Sequence, residues 1–137
     1  MSLILDDLYA YLCANGFGPS TAWPVYEGFI PNDTDQVVAL FQTGGYPADT
    51  LGRENERLTF QVRVRAKRLS YAQCYGTWLA IFNLLQDAQQ TSGSPQFLVG
   101  WYLCQAIHYG PLMFNDDLGR TNMTMNFRIV KAAEGTT

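Results

Sequence analysis

Charged residues are scarce in this sequence, at 15% of 137 residues, against ~25% in an ordinary soluble domain. A chain with so few charges has to cover much of its surface, by folding or by association. Histidine occurs once, at His108. Any Ser-His-Asp or Cys-His device would have to run through that residue, and it lies in an apolar run where a structural role is the simpler reading. Cys13, Cys74 and Cys104 are odd in number and none belongs to a CxxC pair, so neither a disulfide framework nor a zinc site is indicated. Cys74 and Cys104 sit in apolar segments and read as buried free thiols, as suits a reducing cytosol. No apolar run reaches the ~18–20 residues of a membrane span, and Asp6 and Asp7 near the start do not fit a basic leader. The net charge of −3 and pI near 4.9 argue against nucleic acid as the main partner. Gly44-Gly45 lacks the Lys-Ser/Thr ending of a phosphate loop, and no carboxylate pair lies on an apolar face where its pKa would be raised for acid–base work. Asp116-Asp117, in a glycine-containing turn, reads as solvated. The inventory predicts no enzyme activity, no cofactor and no metal.

What is present is apolar and aromatic residues, 47% and 14% of the chain. The length suits one domain, taken here as residues 1–131 with a frayed tail from Ala132 to Thr137. Ser2 to Asn15 reads as a helix capped by Ser2, with Ile4, Leu5, Leu8, Tyr11 and Leu12 on one stripe. Three strands follow: Val25–Ile30, Gln36–Gln42 (nearly all apolar, hence central and buried on both faces) and Arg57–Lys67. In the third, Leu58, Phe60, Val62, Val64 and Ala66 alternate strictly with Thr59, Gln61, Arg63, Arg65 and Lys67, so one face meets a core and the other is wet or meets a partner. Ser70–Gln90 reads as a long helix opened by an S-x-x-Q capping box, Ser70 with Gln73. Tyr71, Tyr75, Trp78, Phe82 and Leu85 step along one side of it, broad enough to reach a neighbouring subunit as well as a core. After a polar break at 91–95, Gln96–Tyr109 and Asn122–Lys131 read as strands, the last pair a hairpin turned at Asn115–Gly119. The order α-β-β-β-α-β-β predicts an α+β domain: a single mostly antiparallel sheet with two helices packed on it.

Two features point to assembly. Thr43–Glu56 is too long for an ordinary hairpin connection of 2–5 residues and carries the charged run Arg53, Glu54, Asn55, Glu56 and Arg57. Six of the nine basic residues fall between Arg53 and Arg68. Gln61, Arg63, Arg65 and Lys67 share a strand face that would meet a neighbouring subunit or a lumen. Phosphate contact is possible there, but Glu54 and Glu56 lie beside it, and salt bridges explain the charges more simply.

The stretch Arg57-Leu-Thr-Phe-Gln-Val-Arg-Val-Arg-Ala66, running at once into the helix from Tyr71-Ala72 to Leu84-Leu85, resembles the minor capsid or tail-terminator proteins of long-tailed phages. So does Pro111-Leu-Met-Phe-Asn-Asp-Asp-Leu-Gly-Arg120 leading into Asn126-Phe127. The resemblance covers roughly Leu3 to Lys131. It implies an α/β sandwich and a structural virion protein, assembled in the host cytoplasm into a ring, commonly a hexamer. Such a ring sits on the last ring of tube protein, stops tube growth and presents a docking surface to the head-side connector or stopper. DNA would pass through it without specific contact. Closed rings need two different patches per subunit, and low charge with many aromatics supplies them. The 43–57 segment would order on contact with the tube or line the lumen. Other readings are a head–tail stopper or neck protein, an adaptor that binds by strand addition, and a ligand-binding α+β domain built around Trp78 and Trp101.

Overall fold

The computed structural model describes residues 4–46, 55–86, 88–89, 101–107 and 110–132, without side chains at 45, 46, 55–57, 88, 89, 101–103, 131 and 132. Its elements are α1 (Ile4–Ala14), β1 (Val25–Glu27), β2 (Val37–Tyr46), β3 (Asn55–Arg68), α2 (Tyr71–Leu85), β4 (Ala88–Gln89), β5 (Trp101–Ala106), β6 (Leu112–Asn115) and β7 (Arg120–Ala132). The strands form one sheet in the order β1-β2-β3-β7-β5-β4, with β6 also against β7. Every pairing is antiparallel except β1 with β2. The architecture is the α+β domain that the sequence predicts.

Alternation explains where the core sits. In the ladder, Val38 faces Val64, Leu40 faces Val62, Phe60 faces Phe127 and Val62 faces Met125, so these side chains share one face. Both helices cover that face: Ile4, Leu8 and Leu12 of α1 and Cys74, Trp78, Ile81 and Leu85 of α2 join the same apolar cluster. Phe60 and Phe127 stack at 5.4 Å. Each fully buried side chain of this size contributes roughly 1.5–3 kcal/mol. Tyr11 of α1 donates to the Leu84 carbonyl of α2 at 3.3 Å, tying the two helices together. Val37, Val38, Ala39 and Leu40 are all at 0% exposure, which bears out burial of β2 on both faces.

Several boundaries differ from the sequence reading. β2 runs on to Tyr46 and β3 starts at Asn55, so the connection is residues 47–54, outside the described residues, and not Thr43–Glu56. The chain stays paired across Gly44 because a register shift falls between Gln42 and Gly45. Gly44 sits there at φ +100°, the left-handed backbone that only glycine takes without penalty. The capping box does not form: Ser70 precedes α2 but makes no side-chain cap bond. α2 ends at Leu85, where Gln86 turns extended and its side-chain oxygen accepts from the Ala106 backbone N–H at 2.8 Å. The expected strand Gln96–Tyr109 begins, among described residues, at Trp101. β5 and β6 occupy successive stretches of one edge of β7, opposite 127–131 and 121–124. Ala132 belongs to β7; the rest of the expected tail, and His108, lie outside the described residues.

Candidate assembly surface

The face of the sheet away from the helices is polar yet partly buried. Arg65 stands opposite Val37 on one side and Asn122 on the other. At 2% exposure it donates to the carbonyls of Asp35 (3.2 Å), Pro31 and Thr34. These belong to residues 28–36, the strap that joins the parallel strands β1 and β2. Arg120, at the start of β7, holds the same strap: it donates to the Asn32 carbonyl at 3.0 Å and the Asn32 side chain at 2.8 Å, and lies 3.6 Å from the Asp35 carboxylate. Its Nε donates to Asp116 at 2.8 Å. Asp116 also accepts from the backbone N–H groups of Leu118 and Arg120, at 3.0 Å each. Burial opposes the charge on Asp116, but these donors outweigh it and hold the carboxyl below the usual range. Asp116 is therefore a built-in hairpin anchor rather than a solvated acid.

Arg63 uses its Nε on Asn122 at 3.0 Å and lies 5.0 Å over the Phe114 ring, a cation–π contact. Burial, with repulsion from Arg120, lowers its pKa against the pull of Asp116. Ile30, Asn32, Arg63, Phe114, Leu118 and Arg120 help to line a hollow of about 570 Å³ here. Gln61 reaches Asn126 at 3.3 Å, and Lys67 is exposed.

Of the four strand residues expected to face a neighbour or a lumen, Gln61 and Arg63 thus lie on the polar face, and Lys67 is exposed where the register shifts between Arg65 and Arg68. Arg65 instead turns into its own chain, because three carbonyls of the strap need donors and its planar fork reaches them. Asn55 and Glu56, expected in a loop, and Arg57, expected to open the third strand, are the first residues of β3 and pair with Ala132, Lys131 and Val130. Arg53 and Glu54 lie outside the described residues. The sequence reading missed Arg120 and Asn122. The signal was a lone arginine directly after a glycine turn, at the mouth of a strand.

A second surface lies on α2. The buried line of this helix is Cys74, Trp78, Ile81 and Leu85; Trp78 and Leu85 belong to the expected Tyr71–Tyr75–Trp78–Phe82–Leu85 line, and Cys74 and Ile81 to the residues that broaden it. Burial pushes the Cys74 thiol up to about 11, only partly offset by the backbone N–H groups of Ala66 and Met123; it is an inert core group. Tyr71, Tyr75 and Leu79 are left exposed. A run of rings connects surface to core: Tyr71 to Tyr75 (6.2 Å), Tyr75 to Trp78 (5.8 Å), Trp78 to Phe82 (5.1 Å) and Phe82 to Phe127 (6.3 Å). Tyr75, Trp78, Leu79, Phe82, Ile107 and Pro111 border a groove of about 390 Å³ where β5 gives way to β6. Just beyond, among the described residues β6 pairs only with β7, with Leu112 and Met113 exposed.

Residues 11–132 match the model of a family described as bacteriophage tail terminator protein. The chain belongs to the bacteriophage tail terminator family. The match runs from the last turn of α1 through β7, so it takes in both surfaces described above. A tail terminator is a structural component of the virion tail rather than an enzyme, and its work is contact with other tail and head parts. No curated protein matches the chain. Among the described residues of this terminator, no helix is long and apolar enough to cross a membrane.

Proposed function

We propose that this tail terminator closes into a ring, six-membered by resemblance, on the last ring of tube protein. The ring ends tube elongation and offers its other side to the head-side connector or stopper, while DNA passes through without specific contact. The observation that supports this reading is the apolar surface left outside the core. Tyr71, Tyr75 and Leu79 on α2 and Leu112, Met113 and Leu118 around β6 lie on different elements. A ring needs two such unlike patches, and an exposed sheet edge invites a neighbour.

In this reading Gln61, Arg63 and Lys67 face a neighbouring subunit or the lumen. The 47–54 connection, with Arg53 and Glu54, and the start of β3 from Asn55 to Arg57 meet the tube. The test is electron microscopy of purified tail tubes with and without the protein. Capped tubes of fixed length with a terminal ring are expected; tubes that keep growing, with no added density at their ends, overturn the reading. Replacing residues 47–54 by a short turn should leave the β2–β3 ladder folded and weaken attachment, and unchanged attachment would clear that segment of the role.

A further inference from the structure

Leu69 is 91% exposed, more than any other large apolar residue among those described. Its backbone lies at φ +61°. The left-handed region disfavours any residue with a Cβ, and a bulky side chain there is a conformational outlier. Leucine at this place therefore carries a backbone penalty and a hydration penalty together. Glycine or asparagine would close the same tight turn, in which Ser70 N–H donates to the Lys67 carbonyl at 3.2 Å, without either. Among the described residues, nothing packs on this side chain to offset the cost. Strain of this kind points to a role outside the chain's own packing.

The groove on α2 has the opposite character. It is concave, open, bordered by Tyr75, Trp78, Leu79, Phe82, Ile107 and Pro111, and about 390 Å³ in volume. That suits an aliphatic side chain laid on aromatic rings, a combination that forms the centre of many interfaces. Leu69 cannot fill the groove of its own chain. It precedes the first turn of α2, whereas the groove's helical wall, from Tyr75 to Phe82, lies roughly 9–20 Å further along the helix axis.

We propose that Leu69 of one copy docks into the aromatic groove of a second copy. A protruding apolar residue and a complementary hollow elsewhere on the same molecule make a head-to-tail contact, which repeats until it closes. This proposal rests on the self-assembly reading above and names the contact that carries it.

The test uses the full chain and three samples, followed by sedimentation velocity across a concentration series and by thermal unfolding, with tail tubes added in parallel. Leu69→Gly is expected to raise the concentration needed for assembly at least tenfold while its unfolding midpoint stays equal to or above that of the wild type. Leu79→Asp, on the groove side, is expected to be monomeric at an unchanged midpoint, with Leu79→Gln used if the charged variant does not fold. Mixed in equal amounts, the two variants retain one intact knob and one intact groove between them, so they should form dimers that go no further. Wild-type protein that assembles while Leu69→Gly assembles equally well overturns the docking and leaves the ring standing. Wild-type protein that stays monomeric both free and on tubes overturns the ring reading and this contact with it.

Discussion

On one face of the sheet, Phe60, Val62, Val64, Met123, Met125 and Phe127 lie at 0–2% exposure beneath two helices. On the other, Arg65, Arg120 and Asn122 are as deeply buried, but beneath a strap of irregular backbone. The first face is held by apolar area, which is additive, tolerant of exchange and indifferent to direction. The second is held by charged forks aimed at named carbonyls, where one lost donor leaves several acceptors stranded. Equal burial therefore hides unequal fragility: the apolar face should fail in proportion to volume removed, and the arginine face at single atoms.

The largest effect should come from the apolar side. Phe127→Ala removes a ring stacked on Phe60 and in contact with Phe82, and about 3–5 kcal/mol of stability should be lost in urea unfolding. Arg65→Ala removes far less buried apolar area, yet strands the carbonyls of Pro31, Thr34 and Asp35; about 2–3 kcal/mol should go. A loss no greater than that of an exposed substitution such as Lys67→Ala would show that the strap does not depend on its clamp.

Asp116→Asn should cost about 1 kcal/mol near neutral pH, and its pH dependence sharpens the contrast. The folded-state pKa of Asp116 is depressed, so its contribution is fully present above the unfolded value of 3.8 and is lost as pH falls through the lower folded value. The gap between wild type and variant should close in strong acid, whereas the Phe127→Ala gap should not. Smallest is Glu27→Gln at the outer edge of β1. Burial, then the neighbouring Asp6, raises Glu27 from 4.5 to about 6. A raised carboxyl works in the opposite sense: the folded state is favoured while Glu27 is protonated and loses ground as pH rises from 4.5 to about 6. The variant should gain about 0.5 kcal/mol above that window, the size of a solvent-screened surface interaction, and nothing at pH 4.

The apolar face was legible in the sequence because period two in β3 and β7 and period near three and a half in α1 state it directly. The helix-free face was half legible. Alternation put Arg63 and Arg65 on one side, but did not reveal that Arg65 closes on residues some thirty positions earlier, or that Arg120 reaches back to Asn32. Those contacts depend on which strands become neighbours. The α2 stripe was legible but broader than the core, because Tyr counts as apolar in a periodic pattern: Trp78 and Leu85 go inside, while Tyr71 and Tyr75 stay exposed. The 43–56 segment looked like a long loop because glycines at 44 and 45 resemble a turn; paired with β3, they accommodate a bulge. For the candidate assembly surface, the chain gave the polar strand and the excess of aromatics. The groove and the outward Leu69 needed coordinates, since an isolated leucine between Arg68 and Ser70 carries no pattern.

The strap also has a consequence in time. Both clamps follow the strap in the chain: Arg65 comes 30 residues after Asp35, and Arg120 comes 88 after Asn32. During synthesis the β1–β2 crossover can be held by Arg65 once β3 is made, and by Arg120 only when β7 is laid beside β3. A chain stopped short of residue 120 would keep the Arg65 clamp on the strap and lack the Arg120 one.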